Sequence, residues 1–202
     1  MALTMAKRLF DLLGAALALL LLAPLLVLVA VAVRLDSPGP VFFRQERVGR
    51  GGKLFRIHKF RTMRVDAQAL GPQVTVGRDV RITRVGHWLR NRRIDELPQF
   101  IDVLLGRMSL VGPRPEVPRY VAHYPEALKR QVLAVRPGIT DPAALAHIDE
   151  AALLAASVDP EREYIDSILP RKLALQAEYA ARATLWSDLQ VLGRTVRVLL
   201  AR

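Results

Sequence analysis

Asp95 and Glu96 stand side by side in "RRIDELPQFIDVLLGRMSLVGPRP", residues 92–115, with Arg90, Arg92, Arg93, Arg107 and Arg114 close by. Neighbouring residues on a helix project about 100° apart, so the pair does not form two parallel carboxyls sharing one proton. Separate roles fit better: one carboxylate as a nucleophile, the other as a ligand for a hard cation such as magnesium. The guanidinium groups favour the charged form of a carboxyl, so both acids are expected to be ionised at neutral pH. That suits a nucleophile or a metal ligand better than a general acid. A salt-bridge cluster capping a helix accounts for the same residues without any chemistry, and at this stage it stays open.

The elements that must position the pair follow from periodicity. "HWLRNRRIDELPQFIDVLLG" has helical spacing of apolar residues interrupted by Pro98, which predicts two short helices meeting near the carboxylates. "GPRPEVPRY" is too rich in proline for a helix interior, so Arg114 is expected in a rigid extended segment between Pro113 and Pro115. Upstream, Val41 to Val48 and Lys53 to Arg61 flank Gly49, Gly51 and Gly52 and predict a small β-hairpin. Alternation puts Phe55, Ile57 and Lys59 on one face and Arg56, His58 and Phe60 on the other. His58 is expected at a polar surface position, because no second histidine stands at ligand spacing. "RVDAQALGPQVTVGRDVRITRVG" reads as a loop with short extended pieces, "PEALKRQVLAV" as a helix, and the last forty residues as a helix broken near Pro170.

Composition narrows the class of partner. The 202 residues predict one unit with appendages, and 30 Lys and Arg against 19 Asp and Glu give a net charge of +11. Such a surplus favours anionic partners: nucleic acid, an anionic membrane surface or phosphorylated substrates. The absence of cysteine excludes disulfides, thiolate metal sites and cysteine nucleophiles. From Leu12 to Val33 the chain carries no charge, roughly 33 Å as straight helix, which is long enough to enter a bilayer. The run leads straight into "RLDSPGP" without a cleavage site, so a signal peptide is not expected.

Pro24 sits in the middle of this run, and basic residues flank both ends, Lys7 and Arg8 before it and Arg34, Arg44, Arg47 and Arg50 after it. The positive-inside bias holds both flanks on the cytoplasmic side if the helix breaks at Pro24 and returns. A kinked spanning helix is the alternative. Asp11, four residues after Lys7, is placed to pair with it near the headgroups. A basic nucleic-acid-binding module is opposed by this apolar segment; a non-catalytic membrane scaffold is opposed only by the carboxylate pair and "GPRPE".

Together, "KR…D" before the apolar run, "DSPGPVFFRQERVGRGGKLFRIHKFRTM", "RITRVG…LR…IDELPQF", "MSLVGPRPE" and "RPGIT" resemble the bacterial sugar transferase family, monotopic phosphoglycosyl transferases. The resemblance runs in order over nearly the whole chain. The size and the "ILPRKLALQAEYA" tail look like small members consisting of the catalytic core alone. It implies an α+β monotopic membrane protein: a re-entrant helix over residues 1–36 broken at Pro24, then a cytoplasmic-face catalytic domain, 37–202. The domain would carry the hairpin and amphipathic helices lying in the interface, with Trp88 and Trp186 gripping phospholipid.

The implied reaction moves a phospho-sugar from a UDP-sugar to polyprenyl phosphate, commonly undecaprenyl phosphate, at the inner (cytoplasmic) membrane, releasing UMP. By motif match Asp95 is the nucleophile that carries the phospho-sugar, and Glu96 helps bind Mg²⁺ or orients Asp95. Arg90 and Arg114 match phosphate-contacting arginines, and Lys59 and Arg61 of "KFRTM" are weaker candidates for the same anionic site; headgroup contact is the alternative for Lys59. No nucleic acid is implied, and neither the sugar nor the pathway is indicated. Two positions depart from the family pattern: Ala23, where serine often precedes the proline, and Asp141 after "RPGIT", where glycine is common.

Overall fold

A long helix, α1 (Ala2–Asp36), opens the computed structural model, which describes residues 2–68, 79–147 and 150–201. Its helical assignment runs through Pro24 without interruption. Pro24 stands inside it, where the ring removes one N–H donor from the helical ladder and the leucines, alanines and valines on either side favour helix.

Both ends of α1 are tied to the rest of the chain. Asp11 is buried; it accepts hydrogen bonds from Leu110 N (3.1 Å) and Ser109 Oγ (3.0 Å) and pairs with Lys7 at 3.2 Å, as the spacing predicts. Lys7 also reaches Asp188 at 2.6 Å, and Arg8 donates to the carbonyls of Val103 and Leu104. At the other end Asp36 accepts from Val85 N at 3.0 Å. Ala15 is buried in a core with Ile57, Val103 and Met108, while Val29 and Val33 share another with Phe60 and Leu89. Between these anchored arms Leu17, Leu20, Leu21, Val27 and Leu28 are exposed, an apolar surface that water disfavours and lipid accepts.

The hairpin forms as expected. Strands β1 (Phe42–Val48) and β2 (Leu54–Phe60) pair antiparallel around Gly51 and Gly52, whose positive φ values of 67° and 77° suit glycine. Only one face of its outer half meets water. Toward the end of β2, Ile57, His58 and Phe60 are all buried, so His58 departs from its expected surface position: its main-chain N and ring Nδ1 both lie 2.8 Å from the carboxylate of Asp102, itself fully buried. Alternation places the ring on the face opposite Ile57 but does not show that Asp102, 44 residues on, meets it there.

Helix α2 (Arg84–Asn91), a 3₁₀ turn (Ile94–Glu96) and α3 (Gln99–Leu104) follow, matching the two helices predicted around the carboxylates. Strand β3 (Ser109–Val111) and the extended segment 112–117 lead to α4 (Pro118–Val121) and α5 (Glu126–Leu133). A short strand β4 (Gly138–Thr140) pairs parallel with β3, a pairing three-residue strands do not announce in sequence. Gly112 and Gly138 meet back to back there; a Cβ on Gly138 would lie 2.1 Å from Gly112 N, so glycine is the residue that fits.

The chain ends in α6 (Pro142–Ala146), α7 (Glu150–Ala155), α8 (Pro160–Glu163), α9 (Leu169–Arg182) and α10 (Leu185–Leu200). The break expected near Pro170 is instead a π-helical turn, Tyr164–Ile168, which carries the helical path into α9. The actual break lies at Ala183–Thr184, where Thr184 and Ser187 form a capping box that starts α10. Trp88 and Trp186 are exposed. Much of the loop expected after the hairpin, residues 69–78, lies outside the described residues.

Candidate active site

The left-handed backbone of Arg93 (φ 54°, ψ 21°) ends the turn after α2 and starts the 3₁₀ turn that carries Asp95 and Glu96. A non-glycine residue in that region costs on the order of 1–2 kcal/mol, retained here where the chain must redirect two carboxylates toward the hairpin. Asp95 is 9 % exposed, and among the described residues its carboxylate makes no hydrogen bond.

Glu96 is differently placed. Arg114 grips it through two nitrogens, Nη1 to Oε2 at 2.9 Å and Nη2 to Oε1 at 2.6 Å, while Lys59 Nζ donates to Oε1 at 2.8 Å. Burial would raise its carboxyl, but the charges of Arg114 and then Lys59 outweigh that and hold it well below the ordinary range. Arg114 is correspondingly raised: burial works against its charge and Glu96 more than offsets it.

Asp95 moves the other way. Burial, then the neighbouring Glu96 charge, push its carboxyl up to about 6, with Lys59, Arg90 and Arg114 opposing. The expectation that the arginines would hold both acids low is corrected here. The nearest cations are spent on Glu96, so Asp95 feels desolvation first. It stays mostly ionised at neutral pH.

Of the cations expected at the site, the fold brings Lys59 and Arg114 into direct contact with Glu96 and sets Arg90 close enough for its charge to act on Asp95. Arg61 is elsewhere. Its guanidinium is buried against the end of α1, donating to the carbonyls of Val33 (3.2 Å), Ser37 (2.6 Å) and Pro38 (2.9 Å). Strand alternation alone would put Lys59 and Arg61 on one face, but β2 ends at Phe60, and Arg61 beyond it follows the carbonyls at the end of α1 instead. Lys7, Arg8, Asp11 and Pro24 belong to α1 and do not enter the carboxylate cluster.

A sequence profile described as bacterial sugar transferase matches residues 2–202. The chain belongs to that family. Among curated relatives of the chain, the N-acetylgalactosaminephosphotransferase of Aeromonas hydrophila named for UDP-N-acetylgalactosamine and undecaprenyl phosphate is 40 % identical over 198 residues, covering 96 % of this chain and 43 % of the relative. The undecaprenyl-phosphate glucose phosphotransferase of Komagataeibacter xylinus is 41 % identical over 197 residues, 95 % and 35 % of the two chains. The UDP-glucose:undecaprenyl-phosphate glucose-1-phosphate transferase of Caulobacter vibrioides is 41 % identical over 205 residues, 98 % and 71 %. The chain thus spans less than half the length of the first two.

Several residues that support the carboxylate cluster escaped the sequence. Asp141, the departure after "RPGIT", is fully buried: it caps α6 through Ala144 N and accepts from Arg114 N (2.8 Å) and Gln176 Nε2 (2.7 Å). It therefore fixes the main chain of Arg114 and ties it to α9. Glu116, two residues on, accepts from Tyr164 OH and pairs with Lys172 and Arg47 at 3.5 Å each, fastening the other side of the proline segment. Thr62, beside Arg61, accepts from Arg90 Nε at 2.8 Å. Asp141, Glu116 and Thr62 lie far apart in the chain with no shared spacing, so only the folded chain reveals them.

Proposed function

We propose that this chain is a phosphoglycosyl transferase that moves a phospho-sugar from a UDP-sugar to polyprenyl phosphate through a covalent intermediate on Asp95. The observation that carries the reading is the inequality of the two carboxylates: Glu96 is neutralised by Arg114 and Lys59, whereas Asp95 is buried beside the same positive charge and, among the described residues, accepts no hydrogen bond. An Asp95 oxygen attacks the phosphorus that bears the sugar, and the bond from that phosphorus to the UMP oxygen breaks, releasing UMP. A phosphate oxygen of the polyprenyl phosphate then attacks the same phosphorus, breaks the acyl phosphate bond and returns Asp95 as a carboxylate. Arg90, Arg114 and Lys59 lower the cost of bringing one anion to another.

Magnesium fits the site in one manner only. Among the described residues no group of three or more carboxylates and histidines is gathered, and both Glu96 oxygens already face cations. A magnesium ion characteristically binds one or two carboxylates plus substrate phosphates, so Asp95 and the diphosphate would hold it, with Glu96 behind. When bound it would supply charge neutralisation at the transferring phosphorus. We read residues 1–36 as a re-entrant segment entering the inner membrane from the cytoplasmic face, with residues 37–202 as the catalytic domain on that face. Supporting this, both arms of α1 are fastened to one body and the apolar surface lies between them.

Purified protein given undecaprenyl phosphate and a panel of UDP-sugars is expected to release UMP with at least one sugar, and only when both substrates are present; no UMP from any UDP-sugar would overturn the transferase reading. For topology, a cysteine introduced by Thr4→Cys in this cysteine-free chain is expected to react with a membrane-impermeant reagent only from the cytoplasmic side. Labelling from the periplasm alone would sink the re-entrant assignment.

A further inference from the structure

Four cations were expected at the anionic site, and they differ in what their donors already hold. Lys59 is taken by Glu96, Arg114 by Glu96 and the Ile139 carbonyl, and Arg61 by three carbonyls at the end of α1. Arg90 alone among these four keeps an open fork: its Nε donates to Thr62 Oγ1 at 2.8 Å, and among the described residues neither Nη is bonded. A guanidinium carries five N–H donors, so fixing Nε leaves the four on Nη1 and Nη2 in one plane.

The Thr62 side chain is itself rigidly mounted. It is buried, its carbonyl accepts from Thr83 N at 3.0 Å, and that same Thr83 caps the start of α2 through Gly86 N. Gly86 presses against the Thr62 main chain so closely that an added Cβ would lie 2.1 Å from the Thr62 carbonyl oxygen. The end of the hairpin and the helix that bears Arg90 therefore form one joint, with the threonine oxygen at its functional end. An arginine side chain loses on the order of 2 kcal/mol of rotamer freedom when fixed, and this joint meets part of that cost before any ligand arrives.

We propose that Thr62 is a positioning residue that holds Arg90 by Nε so that its Nη1–Nη2 edge meets the diphosphate of a bound nucleoside diphosphate. The inference rests on the transferase reading and adds to it a residue that touches neither carboxylate. It makes Arg90 an end-on phosphate ligand rather than a side-on one, because the Nε edge is occupied.

The test uses the full chain in detergent with UDP as the probe, measured by titration calorimetry. Thr62→Val keeps the shape of the side chain and removes the acceptor; it is expected to weaken UDP binding about tenfold, while Thr62→Ser stays within about twofold of wild type. In an Arg90→Lys background, which has no Nε–H to hold, Thr62→Val is expected to add nothing further. Wild-type affinity in Thr62→Val, or an equal loss in both backgrounds, overturns the proposal. A wild-type protein that binds no UDP would instead sink the transferase reading. The Thr62–Arg90 link is then read from the unfolding midpoints of wild type, Thr62→Val, Arg90→Lys and the double variant, where non-additive shifts support the link and additive shifts overturn it.

Discussion

Asp95→Asn is expected to lower phospho-sugar transfer at least about 10⁴-fold, the scale on which an enzyme fails when its covalent nucleophile is removed. The same substitution is expected to make the protein harder to unfold at neutral pH. Asp95 is raised to about 6 in the folded chain by burial and then by Glu96. An acid whose folded value lies above its unfolded one binds more protons when folded, so the charge destabilises the fold progressively as pH rises from about 4 to 6. Above that window the penalty is constant, at most about 3 kcal/mol for a shift of this size. Asparagine carries no charge to desolvate, so the variant's gain in unfolding midpoint should be small near pH 4 and full above pH 7. In the wild type the acid limb of the transfer rate should fall near pH 6, since only the carboxylate attacks. Thermal unfolding across this range, alongside UMP release, checks both halves. Persisting transfer would end the covalent assignment, and a lower midpoint at pH 7 would show that Asp95 is paired rather than poised.

The opposite shifts of Asp95 and Glu96 could not be seen from the linear chain, although the parts that cause them could. The apolar run, the hairpin and the two helices around the carboxylates are written in local patterns of hydrophobicity, glycine and proline, and they form where those patterns lie. Arg114 was legible for the same reason, because flanking prolines fix the backbone. What adjacent sequence cannot carry is the division of cations between two neighbouring acids. Lys59 and Arg114 lie 37 and 18 residues from Glu96, and their choice of Glu96 over Asp95 follows from the left-handed turn at Arg93. Arg61 misled for a related reason: two residues from Lys59 in sequence, it is recruited by the carbonyls at the end of α1, whose hydrogen-bonding need appears only when that end docks. His58 was misjudged because its partner Asp102 arrives from α3, 44 residues away.

Arg114→Met is expected to be among the most destabilising single changes in this protein, because it strands a largely buried charge. Arginine 114 supplies two hydrogen bonds to Glu96 and one to the Ile139 carbonyl, and methionine replaces its stem but none of these donors. Glu96 would keep Lys59 alone, through one oxygen. Breaking one side of a buried ion pair costs about 3–5 kcal/mol, chiefly the penalty of the charge left behind, which for a chain of this length lowers the unfolding midpoint by roughly 6–20 °C. The pH dependence gives the cause. In the wild type Glu96 is held well below its ordinary value, against burial, by Arg114 and Lys59, so its contribution is present above the unfolded carboxyl range and is lost as pH falls toward the folded value. Without Arg114, burial gains the upper hand and Glu96 rises, so the deficit of the variant should be greatest at neutral pH and should narrow in acid as Glu96 takes up a proton. Removing the charge as well, in Glu96→Gln with Arg114→Met, should recover much of the lost midpoint at pH 7 without restoring transfer. Arg114→Lys should fall between, since a single ammonium restores the charge but not the two-point grip. An Arg114→Met protein that unfolded within about 2 °C of wild type would mean that Glu96 is solvated at this site, and the reason for its inequality with Asp95 would have to be sought elsewhere.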